Sequence, residues 1–498
     1  MPELGPLDPA AQASATSAEA AHVDPGGAAI RGSALRIASY GFGVGISLGS
    51  AVILVRHLGI VHFGQFITVS SLIALVGGVT EAGIVAFGIR EATGLGAPAR
   101  ASLISDLLGL RLALTLAGVA WAALFALIAG YPGVLVIGTL LAGVGLVTQV
   151  VADVLGIPLQ VELRLGRLAL VDIARRAAAL ALIGLLALLG SALFPFFAVA
   201  GVSGVVALAV LARVAGASLV RRLTFDRRRW WAMFSEAVPF AIAVSIGAIY
   251  FYVTVIVMSL IASGVQTGLF ATSFRIVQVA LAVPAIALTS VFPLIASASQ
   301  NSTGGSRAAF GKVFDVAVIF GTWLSISTAL GAPFIVDLVA GSAGHGAVEV
   351  LRIQGIALTM SFVSASSMFG LLSLRRYRPL LVSTMSALAF NVALALALIP
   401  SNGARGGAIA DVVTETLVAV GVTISLTRAQ PDHGIGLAVP SRVLLAAGAS
   451  LVALLLPGSV ARVAVATLVY FVVLYLVGAI PTELTQFGAR LRGRGARI

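Results

Sequence analysis

Arg275 stands inside a long apolar stretch, residues 266–297, about nine residues from its start. At the helical rise of ~1.5 Å per residue that is roughly 13 Å deep. A charge at that depth in a bilayer costs about 2.5–3.5 kcal/mol on insertion scales unless a cavity or partner receives it. It is also too deep for easy snorkelling. A guanidinium is planar and permanently charged, which suits a compact oxyanion; the structural alternative is an ion pair that shapes a cavity. Arg175 and Arg176, beside Asp172, begin another apolar run. They could receive the same anion at a cavity mouth or anchor a helix at the interface. Arg111, with Asp106 nearby, offers a further anion contact, or else a snorkelling or paired cation. Arg56 and His62 close the first apolar run and Arg352 begins the tenth. They suit either an outer gate with late substrate contacts or a structural role.

The carboxylates suggest a different chemistry. Asp411 and Glu415 are four residues apart, so a helix presents them on one face. Together with Glu81 they are the ion-coupling candidates, for proton or sodium, with affinity for protons raised by burial and proximity. The alternative is that Asp411 pairs with an arginine and Glu415 lies near a helix end. Asn391 is expected to make an interhelical hydrogen bond. Five histidines without ligand spacing and no cysteine leave no metal-ligand set and no thiol chemistry. No His/Asp or Ser/His set sits on a sizeable loop, so an enzyme such as a membrane-embedded glycan polymerase or ligase is disfavoured, and no cofactor is expected.

What must position these residues is a set of membrane-spanning helices. Hydrophobic residues make up 59% of the 498 and charged ones only 10%, with mean hydropathy +1.09. Soluble domains carry about 25% charged residues. The apolar blocks are about 20 residues long, the length a helix needs to cross the slab, and strand-like alternation is absent. The expected fold is an all-α polytopic membrane protein of about 14 transmembrane helices. The spans read as 35–57, 64–89, 102–129, 133–156, 168–189, 192–213, 232–258, 266–297, 308–337, 347–374, 379–399, 404–427, 442–457 and 463–481. With the N-terminus in the cytoplasm, 23 lysines and arginines fall on the cytoplasmic side. Only Arg56, Arg405 and Arg462 fall on the far side. The positive-inside rule therefore puts both termini in the cytoplasm of a bacterial inner membrane. The formal charge of +12 is an orientation signal suited to anionic lipids, and no groove for nucleic acid accompanies it.

The chain also repeats itself. Gly64-Gln-Phe66-Ile-Thr68 opens the second span and Gly268-Leu-Phe270-Ala-Thr272 the eighth. Arg164 and Arg167 precede the fifth span as Arg375 and Arg378 precede the eleventh. A six-span offset relates two halves of equal orientation by an axis along the membrane normal. The expected organisation is two pseudo-symmetric six-helix lobes plus two C-terminal helices. Residues 1–30 form a disordered cytoplasmic tail, 31–213 an N-lobe and 214–231 a basic linker. Residues 232–427 form a C-lobe, and 428–498 the two added helices with a basic tail.

Several motifs resemble a known family. Val55-Arg56-His57-Leu58-Gly59 with Phe63-Gly64, then Ile89-Arg90-Glu91-Ala92, resembles the opening of polysaccharide (O-antigen type) flippases. Residues 268–297 look like their eighth helix. Leu351-Arg352-Ile353-Gln354, Asn391, Ile399-Pro400 and the run from Gly403 to Ala408 look like their tenth to twelfth. The resemblance spans about residues 31–430. It implies the fold of the multidrug/oligosaccharidyl-lipid/polysaccharide exporter superfamily, cycling between inward- and outward-facing states. It also implies a lipid-linked oligosaccharide substrate, carried on undecaprenyl pyrophosphate and moved from the cytoplasmic to the outer leaflet among membrane lipids. Glycan polymerase or glycosyltransferase partners fit the same pathway. His62 and Phe63 stand where lipid II flippases usually carry Arg and Asp, which disfavours that role. The first span lacks the carboxylate typical of multidrug exporters.

Because the chain has no cysteine, single cysteines report topology cleanly. Cysteines at Ser302, Arg376 and Gly434 should label only after permeabilisation, and those at Gly264, Gly344 and Asn402 in intact cells. Labelling of the second set only after permeabilisation would reverse the orientation.

Overall fold

The computed structural model describes residues 25–81, 83–215, 227–281, 305–374, 376–429, 436 and 438–479. These residues are almost entirely helical, as hydrocarbon demands, because a helix satisfies its own backbone groups without water. In chain order the helices are α1 (Pro25–Glu81), α2 (Ile84–Ala92), α3 (Ala97–Ile128), α4 (Gly133–Leu155) and α5 (Ile157–Val161). Next come α6 (Leu165–Leu188), α7 (Leu193–Phe196), α8 (Val199–Ala215), α9 (Arg227–Ile261) and α10 (Gly264–Ala280). The last five are α11 (Gly305–Ala340), α12 (Ala347–Ser373), α13 (Tyr377–Ala429), α14 (Ala438–Ser450) and α15 (Ser459–Leu476). Helix α1 begins at Pro25, six residues before the tail was expected to end, and residues 1–24 lie outside the described part. So do the linker residues 216–226 and the second half of the eighth span.

Among the described residues, nine segments are long and apolar enough to cross a membrane. Two of them, Gly43–Ala92 with 50 residues and Tyr377–Ala429 with 53, exceed twice the ~20 residues a crossing needs. Each contains a glycine outside helical geometry. Gly59 has φ 73° and ψ 170°, and Gly403 has φ 54° and ψ −132°, a region that favours glycine. At Gly403 the chain doubles back: a Cβ on Gly406 would overlap the carbonyl oxygen of Leu398. Both glycines fall where the sequence places the junction of two spans. Outward-facing surfaces are apolar; Leu188 is 88% exposed and Trp121 68%, which suits lipid rather than water.

Packing is uneven along the helices. The largest buried cluster gathers Leu54, Phe63, Phe196, Met258, Phe270, Val336, Leu351 and Ala404. All lie near the chain reversals at Gly59, residues 189–193, 262–264, 341–347 and Gly403, which form one end of the bundle. There the segments that open with the two matching motifs, the second and eighth expected spans, meet at glycine. A Cβ on Gly64 would stand 2.8 Å from Cα of Gly268, and one on Gly268 would overlap the carbonyl oxygen of Ile60. Only hydrogen fits, so the two backbones touch. Replacing Gly268 by Ala should destabilise the protein by about 1–3 kcal/mol through overpacking. Gly184, whose Cβ would meet nothing within 4 Å, should tolerate alanine or gain from it. Thermal unfolding of the two variants in detergent tests this, and equal melting temperatures would remove the contact from the packing argument.

Candidate functional site

Toward the opposite end of the bundle the helices part around a cavity of about 790 Å3. Its walls come from the first limb of α1 (Gly43, Val44, Ser47), α4 (Gln149) and α6 (Asp172, Arg175, Arg176). Ala200 of α8, Tyr252 of α9 and Arg275, Gln278 and Val279 of α10 complete it. Three of the sequence-predicted arginines thus share one chamber.

Arg275 donates from Nη2 to the Ser47 hydroxyl at 2.8 Å and from Nη1 to Oε1 of Gln278 at 2.5 Å. Gln278 in turn donates to the Tyr252 hydroxyl at 3.5 Å. All these partners are neutral. Among the described residues no carboxylate pairs with Arg275, so the ion-pair alternative is not realised there. A positive charge hydrogen-bonded only by dipoles, facing an aqueous chamber, keeps its attraction for an incoming anion. Arg175 and Arg176 differ. Arg175 Nη2 lies 2.9 Å from Asp172 Oδ1, and Arg176 Nε lies 2.8 Å from Asp172 Oδ2. One helical turn therefore holds two cations on one carboxylate. Arg176 also packs on Gly43, where a Cβ would come within 3.3 Å of its Cδ.

A second polar cluster lies between α9, α12 and α13. Asp411 Oδ1 accepts from the Thr254 hydroxyl at 2.6 Å and from Asn391 Nδ2 at 3.3 Å. Its Oδ2 accepts from Gln354 Nε2 at 3.2 Å, and Ser273 donates to Gln354 Oε1 at 2.5 Å. One turn on, Glu415 accepts from the Tyr250 hydroxyl at 2.8 Å and from Ser364 at 2.7 Å. No arginine pairs with either carboxylate among the described residues, which corrects the alternative that Asp411 is neutralised by one. Asn391 makes the expected interhelical bond.

The remaining candidates lie elsewhere. Arg111 is buried on α3 with its Nη2 3.7 Å from Asp153 Oδ2, and its Nε and Nη1 meet no acceptor among the described residues. It neither snorkels nor lines the cavity, because Asp153 of α4, which sequence reasoning passed over, draws it inward. Glu81 ends α1, exposed and away from the cavity. Arg56 donates to the carbonyls of Asp337 at 3.1 Å and Leu338 at 2.8 Å, tying α1 to α11 at the packed end. Arg352 is exposed on α12. Arg405 pairs with Glu349 at that same end. Gln149, Tyr252 and Gln278 were also missed as lining residues. The i, i+3 spacing of Arg275 and Gln278 was the available signal.

The geometry can be set beside known proteins. Residues 29–299, more than half of the chain, match the family model described as polysaccharide biosynthesis protein. The chain belongs to that family. No curated protein matches it. Among solved structures, it is similar to "Lipid II flippase MurJ, inward closed conformation", with TM-score 0.73 and 12% identity. That match covers 88% of this chain and 97% of the other. An inward-facing multidrug resistance MATE family transporter of the MOP superfamily gives TM-score 0.61 and 16% identity. There 78% of this chain and 94% of the other are covered. At such identities the likeness is one of fold. This member of the polysaccharide biosynthesis protein family is a multi-pass membrane protein whose fold is similar to that of the lipid II flippase and the multidrug resistance transporter.

Proposed function

We propose that the protein is a flippase for an undecaprenyl-pyrophosphate-linked oligosaccharide, moving it across the bacterial inner membrane to supply envelope glycan synthesis. The observation that carries this reading is Arg275, a permanent cation whose partners among the described residues are all neutral, in a cavity it shares with Arg175 and Arg176. A pyrophosphate group must cross the slab away from hydrocarbon. Exchanging its water for guanidinium hydrogen bonds lowers that barrier with no covalent chemistry. The oligosaccharide would occupy the polar chamber while the isoprenoid chain stays in lipid.

The accompanying organisation is fourteen spans, in two six-helix lobes at 31–213 and 232–427 with two further helices, and both termini cytoplasmic. In that orientation the packed end faces outward and the cavity belongs to the cytoplasmic half, an inward-facing arrangement. The matching of 88% of the chain to the lipid II flippase fold supports a second reading, a peptidoglycan precursor as cargo. Both substrates present the same pyrophosphate to Arg275. Complementation of an O-antigen flippase-null strain, set against a lipid II flippase-null strain, separates them.

Coupling belongs to Asp411 and Glu415. A carboxylate bonded only by hydroxyl and amide groups can exchange a proton or sodium ion without breaking an ion pair. Asp411→Asn and Glu415→Gln should each flatten the pH or sodium dependence of transport while leaving headgroup binding intact. Unchanged profiles in both variants would take them out of the mechanism.

Arg275→Ala removes an insertion penalty, so it should insert and fold, yet fail to complement. Arg275→Lys keeps charge without the planar fork and should retain partial activity. Binding of the lipid-linked sugar to purified wild type and Arg275→Ala decides the matter. Equal affinity, with normal transport by the alanine variant, would reduce Arg275 to a structural residue.

A further inference from the structure

Three arginines line the cavity, and among the described lining residues Asp172 is the one carboxylate. Its two oxygens face different cations, Oδ1 to Arg175 and Oδ2 to Arg176. The two contacts, at 2.9 and 2.8 Å, have the length of charge-assisted hydrogen bonds. Arg275 stands apart on α10 with no such partner among the described residues. Two of the three anion-binding groups are thus already engaged by an internal anion, and the third is not.

We infer that Asp172 is a built-in competitor of the anionic headgroup, which lowers the affinity of Arg175 and Arg176 for pyrophosphate and so permits its release. The inference rests on the reading of Arg275 given above. Asp172, Arg175 and Arg176 occupy a single turn of α6 at i, i+3 and i+4. The competing carboxylate therefore travels with the arginines however the helices around the cavity rearrange. A partner on another helix would be lost or gained with the conformational change, whereas this one stays at a fixed, high effective concentration. The side chains are also accessible: Asp172 is 44% exposed, Arg175 30% and Arg176 36%. Rotamer changes can carry the carboxylate aside, and water can receive it.

The charge balance agrees. Three arginines against one carboxylate leave the chamber positive, as an anion site requires. A pyrophosphate diester bears one negative charge on each phosphoryl group, so the lining with Asp172 ionised balances it. Without Asp172 the chamber holds surplus positive charge and two arginines with free donors. Such a site binds well and releases poorly, a fault in a transporter whose throughput depends on letting go.

The alternative is that Asp172 simply orients the two arginines, and the two roles predict opposite signs. The test uses the purified full-length protein with inorganic pyrophosphate as probe, alongside transport in cells. Asp172→Asn should tighten pyrophosphate binding by about tenfold, the scale of one charge-assisted hydrogen bond, and Asp172→Ala should shift it the same way. Asp172→Glu should bind like wild type. Adding Arg176→Gln to Asp172→Asn should cancel most of the gain, whereas a diffuse field effect would leave it standing. Transport by Asp172→Asn should show a lower KM and a lower kcat. Unchanged or weaker binding in both Asp172→Asn and Asp172→Ala, with Arg275→Ala still losing affinity, would overturn the competitor role and leave the flippase site intact. Wild-type affinity in Arg275→Ala would instead sink the underlying reading.

Discussion

A guanidinium in the apolar middle of a membrane protein must be reconciled with hydrocarbon, and Arg275 is where this structure meets that constraint. Water and dipoles do the work here. Ser47 and Gln278 accept its hydrogen bonds, Tyr252 extends the shell, and the cavity supplies the high-dielectric side. Each feature draws on a different helix: α1 for the serine, α9 for the tyrosine, α10 for the arginine and glutamine. Holding one charge therefore fixes how three helices approach one another. It also explains why the chamber opens where it does, because closing it over an unneutralised cation would remove the solvation that makes the position tolerable.

Unlike Asp172, the carboxylates between α9, α12 and α13 are kept in a different compartment. The carboxylates of α13 are bonded by Thr254, Asn391, Gln354, Tyr250 and Ser364, all uncharged. The sequence contains enough arginine to neutralise them, and the fold does not do so. Direct pairing of Arg275 with Asp411 would make both sites cheaper and both chemically silent. Separation leaves each group without a charged partner among the described residues, as the proposed anion-binding and ion-coupling roles require. Both clusters share α9, where Tyr252 belongs to the cationic shell while Tyr250 and Thr254 bond the carboxylates. Movement of that helix changes both shells together, which is a physical route for coupling through discrete hydrogen-bonded arrangements.

How far these features were legible in the sequence follows from what each depends on. Helix positions were readable because the length of an apolar block is set by the membrane itself; α4 at Gly133–Leu155 and α12 at Ala347–Ser373 agree with the expected spans to within a residue. The shared face of Asp411 and Glu415 was readable from helical period. Arg275 was conspicuous because charge is rare in such a run. Asp153 was not, because it lies near the end of α4, where charge is ordinary, and only tertiary packing brings Arg111 of α3 to it. The same holds for Gln149 and Gln278, which are unremarkable until their neighbours are known. Pairing between helices is a long-range property, and one sequence records it weakly. Arg56 illustrates the converse. Its place at the far end of the first span was legible, but its partners are backbone carbonyls of α11, which no residue type announces.

The contact between Gly64 and Gly268 links the repeat to the chamber. The two glycines hold corresponding places in the repeated sequence motif, and their backbones touch. That end of the bundle is filled by large apolar side chains and pinned by Arg56 on α11 and Arg405 on Glu349. The Ile60 side chain packs over Gly268 as well, so parting this end would mean withdrawing apolar side chains as well as breaking the polar ties. It lies at the opposite end of the helices from the cations. Opening it while the cavity end closes would expose Arg275 to the other side of the membrane without moving that residue far along its own helix.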